Sequence, residues 1–419
     1  MKICLQAINR HSYAQTADNG ALKSPTAKTS STIFFSRLLF FAILFSCAAC
    51  YGQATKDEFP AWAFGGFERP AGINPVISPT GTTRFFDPMS KDSVAWEAND
   101  TFNPAAALYK GKIVVLYRAE DKTGIKIGHR TSRIGYAEST DGFSFTRKSR
   151  PVMYPGEDEQ KSMEWPGGCE DPRVAVTANG TYVMFYTQWN RKTPRLGVAT
   201  SKDLQHWTKH GAIFKKHGND KVFNSSHKSA SILTGIKNGK QVVIKIKGKY
   251  WMYWGEKAVY AATSTNLIDW TPLTDSDGEL KKLITPRKGY FDSKLTECGP
   301  PAILTKNGIV LLYNGKNLTG DEGDKRFTAN SYCAGQVLFD KSNPEKVLAR
   351  LDLPFLRPME AFEKSGQYVD GTVFIEGMVY FHQKWYLYYG CADSRVGVAV
   401  FDPQHPASPD PLALNTVTQ

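Results

Sequence analysis

Short runs in which apolar and polar residues alternate recur along most of this chain. GKIVVLYRAED (111–121) is followed by RIGYAESTDGFSFTR (133–147), and NGTYVMFYTQWN (179–190) by RLGVATSKDLQHWTK (195–209). KGKYWMYWGEK (247–257) leads to VYAATSTNLIDWTP (259–272), NGIVLLYNGKN (307–317) to SYCAGQVLFDKSNPEKV (331–347), and HQKWYLYYGCADS (382–394) to RVGVAVFDP (395–403). Each unit reads the same way: a turn, an alternating aromatic strand, a loop, then a strand of small residues. The period of two predicts strands, and no helix-period segment of any length interrupts them. Units repeated at roughly 65 residues point to a propeller or a solenoid. Five of them, each long enough for four strands, predict an all-β chain folded as a five-bladed β-propeller. The alternative is a pair of β-sandwiches, which five matched units disfavour. The propeller would be one domain over 55–419, with its site at the mouth of a central channel.

Composition changes this picture little. A chain of 419 residues, 41% hydrophobic and 22% charged, suits a folded enzyme. The net charge of +12 raises the question of nucleic acid. The lysines and arginines are scattered, with no dense basic run and no recognised motif, so no nucleic-acid partner is expected. Part of the excess lies in an N-terminal segment. IFFSRLLFFAILFSC (33–47) has the length of a signal-peptide core, is too short for a convincing membrane span, and is interrupted by Arg37. The following CAACYGQA offers two exits. One is cleavage after Ala54, with small residues at Gly52 and Ala54; the other is lipid attachment at Cys50. Residues 1–54 are therefore expected to export the protein. It would be periplasmic or lipid-anchored at a bacterial cell envelope, touching membrane only through Cys50. Cys169, Cys298, Cys333 and Cys391 remain and are expected to be free and buried. No spacing suggests a metal site, and no cofactor is expected.

Candidate chemistry collects at equivalent places in the units. The segments entering or leaving the inner strands carry Asn103 and Arg118, then Glu170, Asp171 and Arg173, then Lys228 and Glu256, then Glu297, then Asp370 and Asp393. A single carboxylate beside an arginine is often a structural ion pair. Polar or charged residues from all five units at one channel mouth are harder to explain that way, and acids crowded there should carry perturbed pKa values. Facing carboxylates suit glycoside hydrolysis, in which one protonates the leaving oxygen and another attacks or activates water. Tyr117, Tyr186, Trp251, Tyr253, Trp254, Tyr313 and Tyr389 offer apolar faces for sugar rings, although most should lie in the core.

FNPAA (102–106), LYRAED (116–121), GGCEDPR (167–173), CGPPAIL (298–304) and YYGCADSRVGVA (388–399), in this order, resemble glycoside hydrolase family 130. The resemblance runs from about residue 90 to about 402 and implies a five-bladed propeller acting on β-mannosides with inversion. Some members are phosphorylases; others hydrolyse β-1,2-linked mannosides. By resemblance Asp171 is the general acid, working through the 3-hydroxyl of the sugar in the −1 subsite, while Asn103, Arg118 and Asp393 hold that mannose. Glu170 and Arg173 would orient Asp171 or bind sugar.

Phosphorylase members carry a histidine–arginine pair after the aromatic strand of the third unit; here Tyr253 and Trp254 stand there. Small residues usually precede the Gly-Pro-Pro of the fourth unit; here Thr296, Glu297 and Cys298 do. Phosphate-holding cations are replaced by carboxylates, and a carboxylate repels phosphate but activates water. The resemblance therefore favours an exported, inverting, exo-acting β-1,2-mannosidase on β-linked manno-oligosaccharides. Glu256 and Glu297 would activate the water. Lys228 and His227 keep a phosphorylase open, and a non-catalytic mannoside-binding propeller is the reading outside enzymes.

Overall fold

The computed structural model describes residues 59–216 and 220–405. The export segment, with Cys50 and the Ala54 junction, lies outside them. The described chain is all-β, with two helical stretches of four and five residues, Lys161–Glu164 and Asp220–Asn224, and two short 3-10 turns.

Five antiparallel strand groups follow one another. The first runs through Asp100–Tyr109, Lys112–Glu120, Ser132–Ser139 and Thr146–Arg147; the second through Gly168–Val176, Tyr182–Trp189, Arg195–Ser201 and Thr208–Ala212. The third uses Ala230–Lys237, Lys249–Trp254, Tyr260–Ser264 and Trp270–Pro272, with an extra hairpin strand at Lys240–Val243. In the fourth, Leu295–Cys298 and Ala302–Leu304 both pair with Ile309–Lys316, which pairs in turn with Tyr332–Phe339 and that with Val347–Arg350. The fifth comprises Val373–Phe381, Lys384–Cys391 and Arg395–Phe401. Its outer edge is completed from the N-terminal side by bridges from Glu68 to Val400 and Ile77 to Val396.

First strands of several groups lie side by side. That of group one neighbours those of groups two and five, and Ala230–Lys237 pairs in parallel with Ala302–Leu304. Within each group the first and second strands are antiparallel, so the start of one meets the end of the other. Asp100 faces Glu120, Gly168 faces Trp189, Ala230 faces Trp254, and Val373 faces Cys391. That geometry is why the candidate residues, placed at these starts and ends, share one end of the fold.

The aromatic strands and the small-residue strands explain each other. Tyr117 lies opposite Gly135, Tyr186 opposite Gly197, Tyr313 opposite Gly335 and Tyr389 opposite Gly397. A Cβ on any of these glycines would fall 2.3–2.9 Å from a tyrosine ring atom, closer than packed atoms tolerate. Each tyrosine hydroxyl then donates to a buried carboxylate: Glu97, Glu164, Asp292 and Glu363 respectively. Each carboxylate in turn pairs with a cation, namely Arg147, Lys209, Arg350 and Arg69. Group three lacks this tie: Tyr253 faces Ala261 and donates to the Pro344 carbonyl.

Gly168 stitches groups one and two together. It has φ +109°, pairs with Ser132, and an added Cβ would lie 2.1 Å from the Ser132 carbonyl oxygen. Gly168→Ala should lower stability by about 1–3 kcal/mol or more. A thermal denaturation midpoint several degrees below that of the parent chain is the expected result; an unchanged midpoint would show that the junction relaxes freely.

Candidate active site

Asp171 sits at a bulge in Gly168–Val176, between Glu170 and Arg173, with φ +48°. A bulge adds a residue to one strand and re-aims its side chain. Asn103 stands at the matching bulge of group one, with φ +46°. The two meet: Asn103 Nδ2 donates to Asp171 Oδ1 over 2.9 Å. Arg118 Nη1 donates to the same oxygen over 3.0 Å. Its Nη2 faces Glu120 at 2.6 Å and Glu170 at 2.8 Å, its Nε donates to Ser132 Oγ, and its plane lies over the Phe102 ring. One guanidinium thus gathers three carboxylates, a planar fork suited to several acceptors at once.

On the other side of Asp171, Lys228 Nζ lies 3.7 Å from Asp171 Oδ2, 3.2 Å from Glu297 Oε1 and 3.9 Å from Glu256 Oε1. Glu297 is buried in Leu295–Cys298 and accepts a short hydrogen bond from Ser229 Oγ. Glu256 follows the second strand of group three and is more open, with 39% of its side chain exposed. Asp393, half-buried, occupies the turn after Lys384–Cys391 with φ +51°.

The electrostatics divide these acids. Burial pushes Glu170 and Asp393 up to about 7 each, against the pull of Arg118. Burial also raises Glu297, against Lys228. Asp171 goes the other way. Burial alone would raise it, but Arg118, Lys228 and the Asn103 hydrogen bond hold it well below the usual carboxylate range. Lys228 is pushed well above the ordinary lysine value by Glu297, Glu256 and Asp171, although burial opposes this.

Arg173 and Asp370 are placed differently from these acids. Arg173 is fully buried: Nη1 donates to the Asp171 carbonyl, Nε to that of Gly299 and Nη2 to that of Cys298, and it pairs with Glu376 at 3.0 Å. It fixes the backbone beneath Asp171, with four of its five donors committed to protein. Asp370 is exposed, and its charge acts with that of Asp393 on Lys316 and Tyr368. His227 is a core residue between the Phe214 and Trp254 rings; Nδ1 accepts from the Leu196 amide, and burial lowers its pKa to about 4. Six of the seven aromatics named above are buried in the core, and Trp251 is half-buried. The four cysteines are free and buried.

Three residues of the site escaped sequence reasoning. Ser132 bridges Arg118 and Glu170, Ser229 holds Glu297, and Glu376 lies at the bulge of Val373–Phe381 with both carboxylate oxygens lacking hydrogen-bond partners. Only Glu376 left a signal: a lone acid in the apolar run VFIEGMVYF.

Comparison with known proteins settles the family. The model for glycoside hydrolase family 130, described as beta-1,4-mannooligosaccharide phosphorylase, matches residues 74–405. The chain belongs to glycoside hydrolase family 130. Within family 130 it is 66% identical to a solved structure described as "The GH130 family of mannoside phosphorylases contains glycoside hydrolases that target beta-1,2 mannosidic linkages in Candida mannan". That likeness covers 85% of this chain and 99% of the other, with TM-score 0.84. A glycosyl hydrolase from Bacteroides ovatus is also 66% identical, over 85% of this chain and 99% of that one, with TM-score 0.83. A 1,2-beta-oligomannan phosphorylase of Thermoanaerobacter sp. (strain X514) is 33% identical over 318 residues, 75% of this chain and 94% of the other.

Proposed function

We propose that this family 130 chain is an inverting, exo-acting β-1,2-mannosidase. In this reading its five strand groups are the blades of one propeller, and the protein works outside the cytoplasm, exported by residues 1–54. The observation that carries the reading is the set of carboxylates around Lys228. Its ammonium lies within 3.9 Å of Asp171, Glu297 and Glu256 alike. An acid facing a base pair is what water attack requires, whereas two carboxylates beside a phosphate pocket would repel the dianion.

Asn103, Arg118 and Asp393 hold the terminal mannose and bring its 3-hydroxyl to Asp171. The proton leaves Asp171 through that hydroxyl to the glycosidic oxygen, and the aglycone departs. Glu297, with Glu256 beside it, takes a proton from water as the water oxygen bonds to the anomeric carbon from the opposite face. The products are α-mannose and the shortened mannoside. Asp171 must be protonated for this step. The proton that Glu297 takes from water returns through solvent to Asp171 before the next turnover.

A second reading rests on Lys228, a cation that could bind phosphate, and on the oligomannan phosphorylase relative. Product analysis separates the two. Incubated with β-1,2-mannobiose, the purified chain should release mannose at a rate indifferent to inorganic phosphate. Mannose 1-phosphate formed only when phosphate is present would make it a phosphorylase.

A further inference from the structure

We propose that Lys228 is a positioning residue that sets the ionisation of the acid and of the base together, acting through their carboxylates and through neither sugar nor phosphate. The inference rests on the hydrolase reading above and deepens it. Among the described residues, Lys228 is the one cation whose charged atom lies within 3.9 Å of carboxylates on both sides of the reaction. Arg118 touches Asp171 and its neighbours but reaches neither Glu297 nor Glu256. Arg173 is engaged with Glu376 and three carbonyls.

The backbone holds Lys228 in this place. Its carbonyl accepts from the Gly255 amide at 3.1 Å, next to Glu256, and Ser229 follows it with φ +61° and donates to Glu297. The ammonium, Ser229 and the two bases are therefore tied together by direct contacts.

The charges facing this group come from every neighbouring element. Asp171 and Glu170 approach from group two, Glu256 from group three, Glu297 and Tyr332 from group four, and Glu376 and Asp393 from group five. Glu297 is also faced by Arg173, Asp171 by Arg118, Arg173 and Asn103, and Glu256 and Asp393 by Lys316 of group four. In this crowd of acids an ammonium lowers the pKa of each carboxylate it faces, and an opposite charge at such range shifts one by about 1–3 units.

The sign follows. Water activation needs Glu297 ionised, and it is lost as pH falls through the lower of the two macroscopic pKa values. Proton delivery needs Asp171 protonated, and it is lost above the higher one. The two values belong to the pair, whichever site carries the proton. Removing Lys228 raises both, so the entire bell of kcat/KM against pH should move alkaline. A residue that merely binds sugar would lower the bell at every pH without displacing it.

The test follows mannose release from β-1,2-mannobiose in phosphate-free buffer, between about pH 4 and pH 9, the range in which such limbs report catalytic groups. It compares the parent chain, Lys228→Met, Lys228→Arg and Ser229→Ala. Lys228→Met should displace both limbs upward by about one unit or more, with part of the lost activity regained at high pH. Lys228→Arg should restore the parent bell. Ser229→Ala, which removes the other donor to Glu297, should move the limb that reports Glu297 in the same direction by less, and carries the test should Lys228→Met not fold. Unmoved limbs in the folded variants overturn the inference and leave the hydrolase reading standing. A parent chain that releases no mannose without phosphate overturns both, and Lys228 is then a phosphate ligand.

Discussion

Asp171→Asn should lower kcat on β-1,2-mannobiose by about 10²–10⁴-fold. The substitution keeps the shape of the side chain. An amide oxygen can still accept from Asn103 Nδ2 and Arg118 Nη1, the two bonds that hold Asp171 Oδ1. Arg118 retains Glu120 and Glu170 as counter-charges, so no buried cation is left unpaired. The loss is then confined to the proton. A substrate whose leaving group departs without protonation, such as a nitrophenyl β-mannoside, should lose far less. Equal losses on both substrates would give Asp171 a binding role in place of an acid role.

Glu297→Gln should cost a similar factor, about 10²–10⁴-fold, because it removes the better-held of the two proposed bases. Glu297 is buried, faces Lys228 at 3.2 Å and accepts from Ser229; Glu256 is more open and lies 3.9 Å from Lys228. Glu256→Gln should therefore cost less than Glu297→Gln while still slowing turnover. Azide, which needs no base, should restore activity to Glu297→Gln and give the α-mannosyl azide, since it enters by the path of the lost water. A β-azide would mean attack from the opposite face and a retaining geometry.

The site was legible in sequence where a residue type and its place in a repeat were enough. Asn103, Asp171, Lys228, Glu297 and Asp393 all stand where inner strands begin or end, and antiparallel pairing brings those places together. Partnership was not legible. Whether Arg173 faces sugar or protein depends on the carbonyls of Cys298 and Gly299, which lie more than a hundred residues away and arrive only when group four packs against group two. His227 reads as a ligand until Phe214 and Trp254 close over it. Ser229 and Ser132 carry no signal, since a serine is common in any loop or strand. The glycines of RIGY, RLGV, CAGQ and RVGV were visible as small residues, but the tyrosines that require them sit on the neighbouring strand.

Asn103, Asp171, Ser229 and Asp393 share one further trait: each adopts a left-handed backbone, with φ between 46° and 61°. Such conformations cost of order 1–3 kcal/mol, less for Asn and Asp than for most side chains. Glycine adopts them freely. A search for heat-resistant descendants of this enzyme would therefore be drawn to glycine at four places that the proposed reaction needs. Thermal hardening and turnover pull in opposite directions along the inner strands, and a durable variant has to be evolved from the outer ones.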